Sequence, residues 1–138
     1  MLQKVLKFRV NGDPRGNLTV VEGNRDIPFD IKRIFYIYGV HGDMIRGRHA
    51  NKRSAFVFIC LAGKCVVKID DGKGGVEEYE LSSPDTGLYV PQMYWKEMYD
   101  FSEDAVLLVL SNEHYDSEEY IRSYDEFTQI VQKDEAIR

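Results

Sequence analysis

Hydrophobic and β-branched residues recur in short runs along the first four fifths of the chain, separated by Gly, Pro, Asn and Asp. This alternation of strand-forming runs and turn residues predicts an antiparallel sandwich or barrel covering residues 4–112 approximately. The clearest predicted strands are Val5–Val10, Leu18–Glu22, Ile31–Tyr38, Ala55–Leu61, Cys65–Asp70, Val76–Leu81, Leu88–Val90 and Ala105–Leu110.

Two glycine-containing segments between these runs predict tight turns. Leu61–Lys64 and Asp70–Gly75 carry the Gly and Asp residues that tolerate positive φ, so we expect each to close a hairpin between consecutive strands. The run Ala105–Leu110 is apolar at every position, which predicts a strand covered on both faces.

The pattern changes after Tyr115 to a period of about 3.6 residues, which is typical of an amphipathic helix. Tyr120, Tyr124, Phe127 and Val131 fall at alternating spacings of four and three. Asp116, with Glu119 three residues later, resembles a helix N-cap and its reciprocal acid. The sequence therefore predicts a helical C-terminus over residues 116–136, with a possible break near Ser123.

Length and charge restrict the function. A chain of 138 residues fits one domain, residues 1–138, and its net charge of -5 argues against broad binding of nucleic acid or of an anionic membrane surface. No segment has the roughly 20 apolar residues of a membrane span, and the N-terminus does not resemble a signal peptide, so we expect a cytoplasmic protein. The two cysteines, Cys60 and Cys65, lie in apolar runs and are predicted to be buried, reduced thiols.

One short segment departs from this acidic background. Residues 46–53 contain four basic side chains and His49 within eight positions. Clustered cations predict an anion site, and imidazole is the side chain that exchanges protons most readily near neutral pH. Together they suggest chemistry on a phosphorylated molecule.

A small β-barrel with a histidine in it also raises the question of a metal. Cupin-type barrels often bind one through a His-x-His pair, a following Glu and a later His, whereas here the second position of the pair is Asn51 and residues 87–98 contain no histidine. Zinc, iron or nickel needs three or more converging ligands. We therefore predict neither metal nor cofactor, and expect His49 to act as an acid or base.

If residues 46–53 form a strand, alternation predicts which of their side chains share a face. Residues 47, 49 and 51 would share one face of a strand and residues 46, 48 and 50 the other, so His49 and Asn51 can both face the barrel interior. Arg46 and Lys52, near the strand ends, could reach a diphosphate at the barrel mouth. The alternative is a solvated edge strand whose cations discourage aggregation, and spacing alone favours neither.

Two further segments carry candidate ligand-binding side chains. Arg15 follows a turn and is either a solvated turn residue or a further arginine for a phosphate. Trp95 and Lys96 follow a predicted strand end, where Trp95 could stack on a base or sugar or simply belong to the core.

Taken in order, these segments resemble the nucleotide-sugar 3,4-ketoisomerases, small cupins that act on dTDP-linked 4-keto-6-deoxyhexoses. The resemblance covers nearly the whole chain. It rests on the Asp13, Arg15, Gly16 and Leu18 turn, on Ile27–Arg33 with Tyr36, on Arg46, Gly47, His49, Ala50 and Lys52, on Gly63, on Asp70–Gly72, on Ser83–Pro84, on Gly87–Tyr89, on Trp95, on Asp100–Ser102, and on Tyr115–Asp125.

The resemblance implies an all-β, cupin-type double-stranded β-helix with a C-terminal helical segment. It implies a metal-free reaction in which a base removes the C3 proton of dTDP-4-keto-6-deoxyglucose, an enediol forms, and a proton returns at C4. The product, a 3-keto sugar of gluco or galacto configuration, would supply a 3-amino-3,6-dideoxy sugar for a surface glycan. A homodimer with exchanged N-terminal strands is also implied.

For the site, the resemblance implies His49 as principal acid/base and makes Arg15, Arg33, Arg46, Lys52 and Trp95 substrate-binding candidates. Better-known members have a second histidine where this chain has Asn51, and some have a histidine where it has Lys96. Either His49 performs both proton transfers, or Asn51 donates a hydrogen bond while Tyr36 or Lys96 supplies the second acid/base. The alternative function is a catalytically silent nucleotide-sugar binding domain that partners a transferase.

Overall fold

A computed structural model describes residues 1–137 and shows a chain dominated by short antiparallel strands. The strands are β1 (Lys4–Lys7), β2 (Val10–Asp13), β3 (Gly16–Thr19), β4 (Arg33–Tyr38), β5 (Arg46–Asn51), β6 (Phe56–Ala62), β7 (Cys65–Asp70), β8 (Val76–Leu81), β9 (Thr86–Val90), β10 (Trp95–Tyr99), β11 (Val106–Ser111) and β12 (Tyr120–Ile121). A short 3₁₀ helix (Ser117–Glu119) precedes β12, and helix α1 (Tyr124–Ile137) ends the described chain.

Two five-stranded sheets face each other. Their strand orders are β1-β9-β6-β11-β4 and β12-β5-β10-β7-β8, while β2 and β3 form a separate two-stranded ribbon. Alternate side chains of both sheets point inward to form one core, in which Phe58 and Leu107 from the first sheet meet Val67 and Met98 from the second. The predicted all-β, cupin-type class is confirmed.

The outer face of each sheet is covered by a different part of the chain. The N-terminal segment packs Phe8, Ile27 and Phe29 against Val57 and Ile59 of β6, so that strand is buried on both sides. Helix α1 covers the second sheet with the apolar stripe that includes Phe127 and Val131. The prediction that Ala105–Leu110 is covered on both faces is also confirmed, because Leu107 and Leu110 lie in different clusters.

The two predicted hairpins have different outcomes. Strands β7 and β8 pair directly across Asp70–Gly75, as predicted. Strands β6 and β7 do not pair, since β6 lies between β9 and β11 while β7 lies in the opposite sheet. The turn at Gly63, whose φ is +64°, is real, but it carries the chain from one sheet to the other.

The predicted helix over residues 116–136 is wrong in its first third. Asp116 does cap a helix, but this is a single 3₁₀ turn, and the chain then becomes extended. Tyr120 and Ile121 pair with Asn51 and Ala50 of β5, so they extend the second sheet. Ladder hydrogen bonds to an open sheet edge therefore prevail over the helical periodicity, and α1 begins only at Tyr124.

Two smaller predictions have clear outcomes. Cys60 and Cys65 are fully buried and form no disulfide, as expected of core thiols. Trp95–Tyr99 forms strand β10, which the mixed composition of this segment did not reveal. Within the described chain, helix α1 lacks the length and apolar character needed to cross a membrane.

Candidate active site

A bulge in β5 shapes the site. In the ladder between β10 and β5, Lys96 pairs with His49 and Met98 pairs with Arg46, so β5 has one residue more than its partner. The extra residue is accommodated at Gly47 and Arg48, whose φ values are +86° and +60°. Simple alternation predicted Arg46 and His49 on opposite faces, and the bulge instead turns both toward the same cavity.

This cavity lies between the two sheets at one end of the barrel. It has a volume of about 110 Å³, a few times the volume that one water occupies in the liquid. A cavity of this size admits only one end of a ligand, so a larger molecule would extend through the mouth. The residues that line it are Phe35, Ile37, Arg46, Gly47, His49, Phe56, Phe58, Lys96, Met98 and Tyr120.

His49 is the imidazole of this cavity. Burial, reinforced by the positive charge of Lys96, lowers the pKa of His49 to about 4. The imidazole is therefore neutral at pH 7 and has a free lone pair, as a proton-abstracting base requires. Its ring packs against Tyr120 with the centroids 4.9 Å apart.

Lys96 is a buried cation that contacts no carboxylate oxygen within salt-bridge distance among the described residues. Its Nζ donates to the carbonyl of Tyr94 at 3.0 Å and lies 5.0 Å from the centre of the Phe56 ring. Burial lowers the pKa of Lys96 to about 7. Such a costly group, placed beside an apolar cavity, suggests a functional role rather than a packing role.

Asn51 is fully buried beside the cavity. Neither its Oδ1 nor its Nδ2 has a hydrogen-bond partner among the described residues, although unsatisfied buried amides are rare in folded proteins. Glu119 is the nearby buried carboxylate, and it accepts hydrogen bonds from the backbone amides of Arg53 and Ser54 and from the Ser54 hydroxyl. Although burial opposes ionisation, these hydrogen bonds hold the pKa of Glu119 below its usual value.

Arg33 lies behind the cavity wall rather than in it. Its guanidinium is held by the rings of Phe35, Phe56 and Tyr115, at 5.4, 5.9 and 5.7 Å from their centroids. Nη1 donates to the Tyr120 hydroxyl at 3.4 Å, while Nε and Nη2 are buried without a hydrogen-bond partner in residues 1–137. The result is an uncompensated positive charge directly behind Tyr120.

Tyr120 is the site residue that the sequence pattern did not identify. It was assigned to the apolar stripe of a helix, whereas the structure places it in β12, opposite Asn51, with its ring on the cavity wall. The available signal was its position within the segment Tyr115–Asp125 that carries the family resemblance.

Two predicted site residues lie elsewhere. Tyr36 points away from the cavity on the outer face of β4, where it is 60% exposed and stacks on Tyr38. Trp95 precedes Lys96 in β10 and therefore faces the other side of the sheet, where it packs against Tyr124 and Phe127 beneath α1. Neither side chain lines the cavity, so the substrate-contacting roles of Tyr36 and Trp95 stay predictions, and the packing of Trp95 fits the core alternative.

The predicted cations are spread over the molecule. Arg46 is exposed and lines the cavity mouth, which makes it the best placed of them. Lys52 is exposed just beyond the end of β5. Arg15 lies at the tip of the β2–β3 ribbon, where its side chain is 90% exposed and forms an ion pair with Asp13 at 2.6 Å. The fold alone does not bring Arg15 to the cavity of its own barrel.

Potential metal ligands are dispersed over residues 1–137. No group of three or more His, Cys, Asp or Glu side chains converges there in a way that could hold a metal ion. The polar groups of the cavity are instead an imidazole, an ammonium, a guanidinium and a phenol. These groups can transfer protons and stabilise an oxyanion.

Comparison with known proteins assigns this arrangement to a family. Residues 1–132 match the family model FdtA, described as WxcM-like, C-terminal. A TDP-4-oxo-6-deoxy-alpha-D-glucose-3,4-oxoisomerase from Aneurinibacillus thermoaerophilus is 45% identical over 133 residues, covering 96% of this chain and 95% of the relative.

Solved structures agree with this assignment. WlaRA, a TDP-fucose-3,4-ketoisomerase from Campylobacter jejuni, superposes with a TM-score of 0.90 at 45% identity, covering 95% of this chain and 96% of that one. A mutant of the 3,4-ketoisomerase QdtA from Thermoanaerobacterium thermosaccharolyticum, in complex with TDP-4-keto-6-deoxyglucose, gives 0.92 at 41% identity, covering 95% and 94%. The solved structures that this chain resembles are 3,4-ketoisomerases. The chain therefore belongs to the FdtA family, described as WxcM-like, C-terminal.

Proposed function

We propose that this chain is a sugar 3,4-ketoisomerase that converts dTDP-4-keto-6-deoxyglucose to a dTDP-3-keto-6-deoxyhexose. The observation that carries the proposal is the neutral imidazole of His49 beside the buried Lys96, in a cavity whose walls are otherwise largely apolar. The relatives named above support the substrate class, because their own names specify TDP-linked sugars and 3,4-isomerisation.

His49 is the base in this proposal. The proton on C3 of a 4-keto sugar is acidic because the adjacent carbonyl delocalises the resulting charge onto O4. A neutral imidazole in a dry cavity can take that proton and return it at C4, which moves the ketone by one carbon. The low pKa of His49 keeps the imidazole ready to accept a proton at pH 7.

Lys96 has a complementary role. Its ammonium lies beside the same cavity and Glu119 is the carboxylate that favours its charged form, so the fixed positive charge is available to the enediolate. Electrostatic stabilisation by a preorganised cation in a low-dielectric cavity is among the largest contributions to catalysis. The position that holds histidine in some relatives thus carries a lysine that is charged below about pH 7 in this chain.

The diphosphate would lie at the cavity mouth. The cavity volume of about 110 Å³ leaves no room for a nucleotide, and Arg46 is the cation that lines the exit. Lys52 is exposed at the end of the same strand, and Arg33 adds a buried positive charge behind the wall. Arginine and lysine beside an opening are well suited to a diphosphate dianion.

A homodimer with exchanged N-terminal segments would place Arg15 near a second barrel. The β2–β3 ribbon pairs with neither five-stranded sheet, and its residues Val10 and Leu18 are 44% and 57% exposed. Strand β4 is a sheet edge that presents Ile34, Tyr36 and Tyr38 to solvent. Exposed apolar side chains on a ribbon and on an open edge favour association between copies. A cytoplasmic location fits the two reduced core thiols.

The proposal is tested by incubating the protein with dTDP-4-keto-6-deoxyglucose in deuterated water and following C3 and C4 by NMR. An isomerase exchanges the C3 proton with solvent and accumulates the 3-keto product, whose C4 configuration the coupling constants reveal. Binding of the nucleotide sugar without exchange or product would contradict the proposal. That outcome would instead correspond to a silent binding domain.

A further inference from the structure

We propose that Tyr120 is the second proton-transfer residue of this site, which moves protons on and off the two sugar oxygens while His49 moves the proton between the carbons. The inference rests on the proposed function. This chain has Asn51 where better-known family members have a second histidine, so another group must supply the second acid/base. Tyr120 fills that role in this proposal.

Position is the first argument. Tyr120 is the direct partner of Asn51 in the ladder between β12 and β5, and its ring lines the same cavity as His49 and Lys96. The ring centroids of Tyr120 and His49 are 4.9 Å apart. A substrate ring in contact with the imidazole would therefore also contact the tyrosine.

Electrostatics is the second argument. Arg33 donates a hydrogen bond to the phenolic oxygen of Tyr120, and the guanidinium of Arg122 lies 4.8 Å from the centre of the same ring. A guanidinium that donates to a phenol stabilises the negative charge left on the oxygen when its proton departs. Tyr120 is the one hydrogen-bond partner of the Arg33 guanidinium in the described chain, because Nε and Nη2 are buried without a partner there.

Rigidity is the third argument. The residue before Tyr120 is the fully buried Glu119, whose carboxylate accepts from the backbone amides of Arg53 and Ser54, each at 2.9 Å. The carbonyl of Glu119 accepts from the amide of Lys52, also at 2.9 Å. The backbone directly before Tyr120 is thus fixed by hydrogen bonds, and a proton donor held in this way loses little entropy on reaching the substrate.

The Lys96 side chain is less suited to this step. Its Nζ donates to the carbonyl of Tyr94 at 3.0 Å, which directs one N–H away from the substrate and fixes the ammonium in place. We assign it the fixed charge that stabilises the enediolate. The Tyr120 hydroxyl can donate its proton to one sugar oxygen and then accept a proton from the other.

The proton inventory balances with these two residues. His49 takes the proton from C3, electrons move onto O4, and the Tyr120 hydroxyl protonates O4 to give the enediol. The Tyr120 phenolate then takes the proton from O3 as the C3 carbonyl forms, and the His49 imidazolium protonates C4. Both side chains end in their starting states, and no co-reactant is consumed.

Replacement of Tyr120 by Phe tests the role, because Phe preserves the ring that packs on His49 and removes only the hydroxyl. We expect kcat to fall by about 10²- to 10⁴-fold with little change in KM and with an unchanged melting temperature. The matched control is Tyr99→Phe, which removes the hydroxyl of a tyrosine that follows Met98 in β10, faces away from the cavity and donates to Glu78. The control should retain the wild-type kcat.

The possible results separate the two proposals. If the wild type turns over and Tyr120→Phe retains kcat within about threefold, Tyr120 only packs against His49 and this inference is wrong, while the proposed function stands. If the wild type itself neither exchanges nor isomerises the sugar, the proposed function fails and the role of Tyr120 fails with it.

A second measurement applies if the Phe variant does not fold. Incorporation of 3-fluorotyrosine at position 120 keeps the shape of the residue and makes its phenol more acidic. We expect kcat measured at pH 6, where Lys96 is charged, to change severalfold with little change in KM, whereas an unchanged kcat would contradict proton transfer by this hydroxyl.

Discussion

Lys96 lies directly opposite His49 in the ladder between β10 and β5, and both side chains enter one cavity. Burial and the positive charge of Lys96 disfavour the imidazolium form of His49, and burial disfavours the ammonium form of Lys96. The site therefore holds a neutral imidazole and a cation of unusually low pKa within one small apolar space. This difference in pKa supports the proposed roles of His49 as the base and of Lys96 as the electrostatic stabiliser.

The pH dependence of kcat/KM follows from this pair. His49 must be neutral to accept a proton, so we expect kcat/KM to rise as the pH increases through about 4. Lys96 must be charged to stabilise the enediolate, so we expect kcat/KM to fall as the pH increases above about 7. Initial rates at low substrate concentration across pH 4 to 9 measure both limbs. A profile that keeps rising above pH 8 would contradict the role of Lys96.

Replacement of Lys96 by Met should separate activity from stability. Burial of the ammonium lowers the pKa of Lys96 in the folded state from 10.5 to about 7, so the unfolded chain binds the extra proton between these pH values. The buried charge of Lys96 therefore lowers the free energy of unfolding by its full amount below pH 7. This loss of stability disappears as the pH approaches 10.5.

We expect Lys96→Met to raise the free energy of unfolding at pH 6 by a few kcal/mol while lowering kcat by at least about tenfold. The pKa of His49, followed by NMR of its ring protons, should rise because a neighbouring positive charge is lost. Lys68→Met, on the adjacent strand β7 and partly exposed, is the matched control. A variant with reduced stability at pH 6 and an unchanged His49 pKa would show that the two residues do not interact.

Glu119 should stabilise the fold in a pH-dependent manner. Its carboxylate accepts three hydrogen bonds from Arg53 and Ser54, and in Glu119→Gln one of these donors would face an NH₂ group. We expect a loss of about 2 to 4 kcal/mol in the free energy of unfolding at pH 7. Because the folded pKa of Glu119 is depressed, its contribution is present above its ordinary pKa and is lost as the pH falls through the folded pKa.

Chemical denaturation of the wild type and Glu119→Gln at pH 7 and pH 3 measures this difference. The gap between the two proteins should narrow at the lower pH. Glu118→Gln provides the control, since its side chain is exposed and only its backbone amide takes part in the local cap. An equal gap at both pH values would contradict the assigned ionisation.

Gly47 should be required for the shape of the bulge. Its φ is +86°, and a Cβ placed there would meet the Lys96 carbonyl oxygen at 2.9 Å and Met98 Sδ at 3.0 Å. Gly47→Ala is expected to cost about 1 to 3 kcal/mol and to lower kcat, since Arg46 and His49 flank the bulge. At Gly42 φ is +66°, and an added Cβ would meet no atom within 4 Å, so Gly42→Ala controls for the backbone strain alone. Equal activity of the two variants would contradict a role for the bulge in the site.

The sequence predicted the fold class well because strand periodicity and turn residues are local signals. It placed six of the eight predicted strand runs within about two residues of the observed strands. The run Leu18–Glu22 ends three residues beyond β3, and the run Val5–Val10 divides between β1 and β2, because Phe8 turns inward beneath β6. It did not distinguish a hairpin from a crossover at Gly63, since both require the same turn chemistry and only the pairing of β6 with β11 decides between them.

The active site was predicted in part. His49 was identified from its basic surroundings, and Lys96 from the family pattern. Arg46 was assigned to the wrong face because a one-residue bulge is invisible in the composition of β5. Tyr120 was missed because its helical spacing to Tyr124 and Phe127 is real, yet the unpaired edge of β5 offered it a strand instead.

The most direct test of the account is the rate of C3 proton exchange in the His49→Asn variant, measured by NMR in deuterated water at pH 7 with dTDP-4-keto-6-deoxyglucose. We expect exchange to fall by about 10²- to 10⁴-fold relative to the wild type, while the dissociation constant for dTDP stays within about threefold. Exchange at nearly the wild-type rate would show that another group removes the proton and that His49 is not the base.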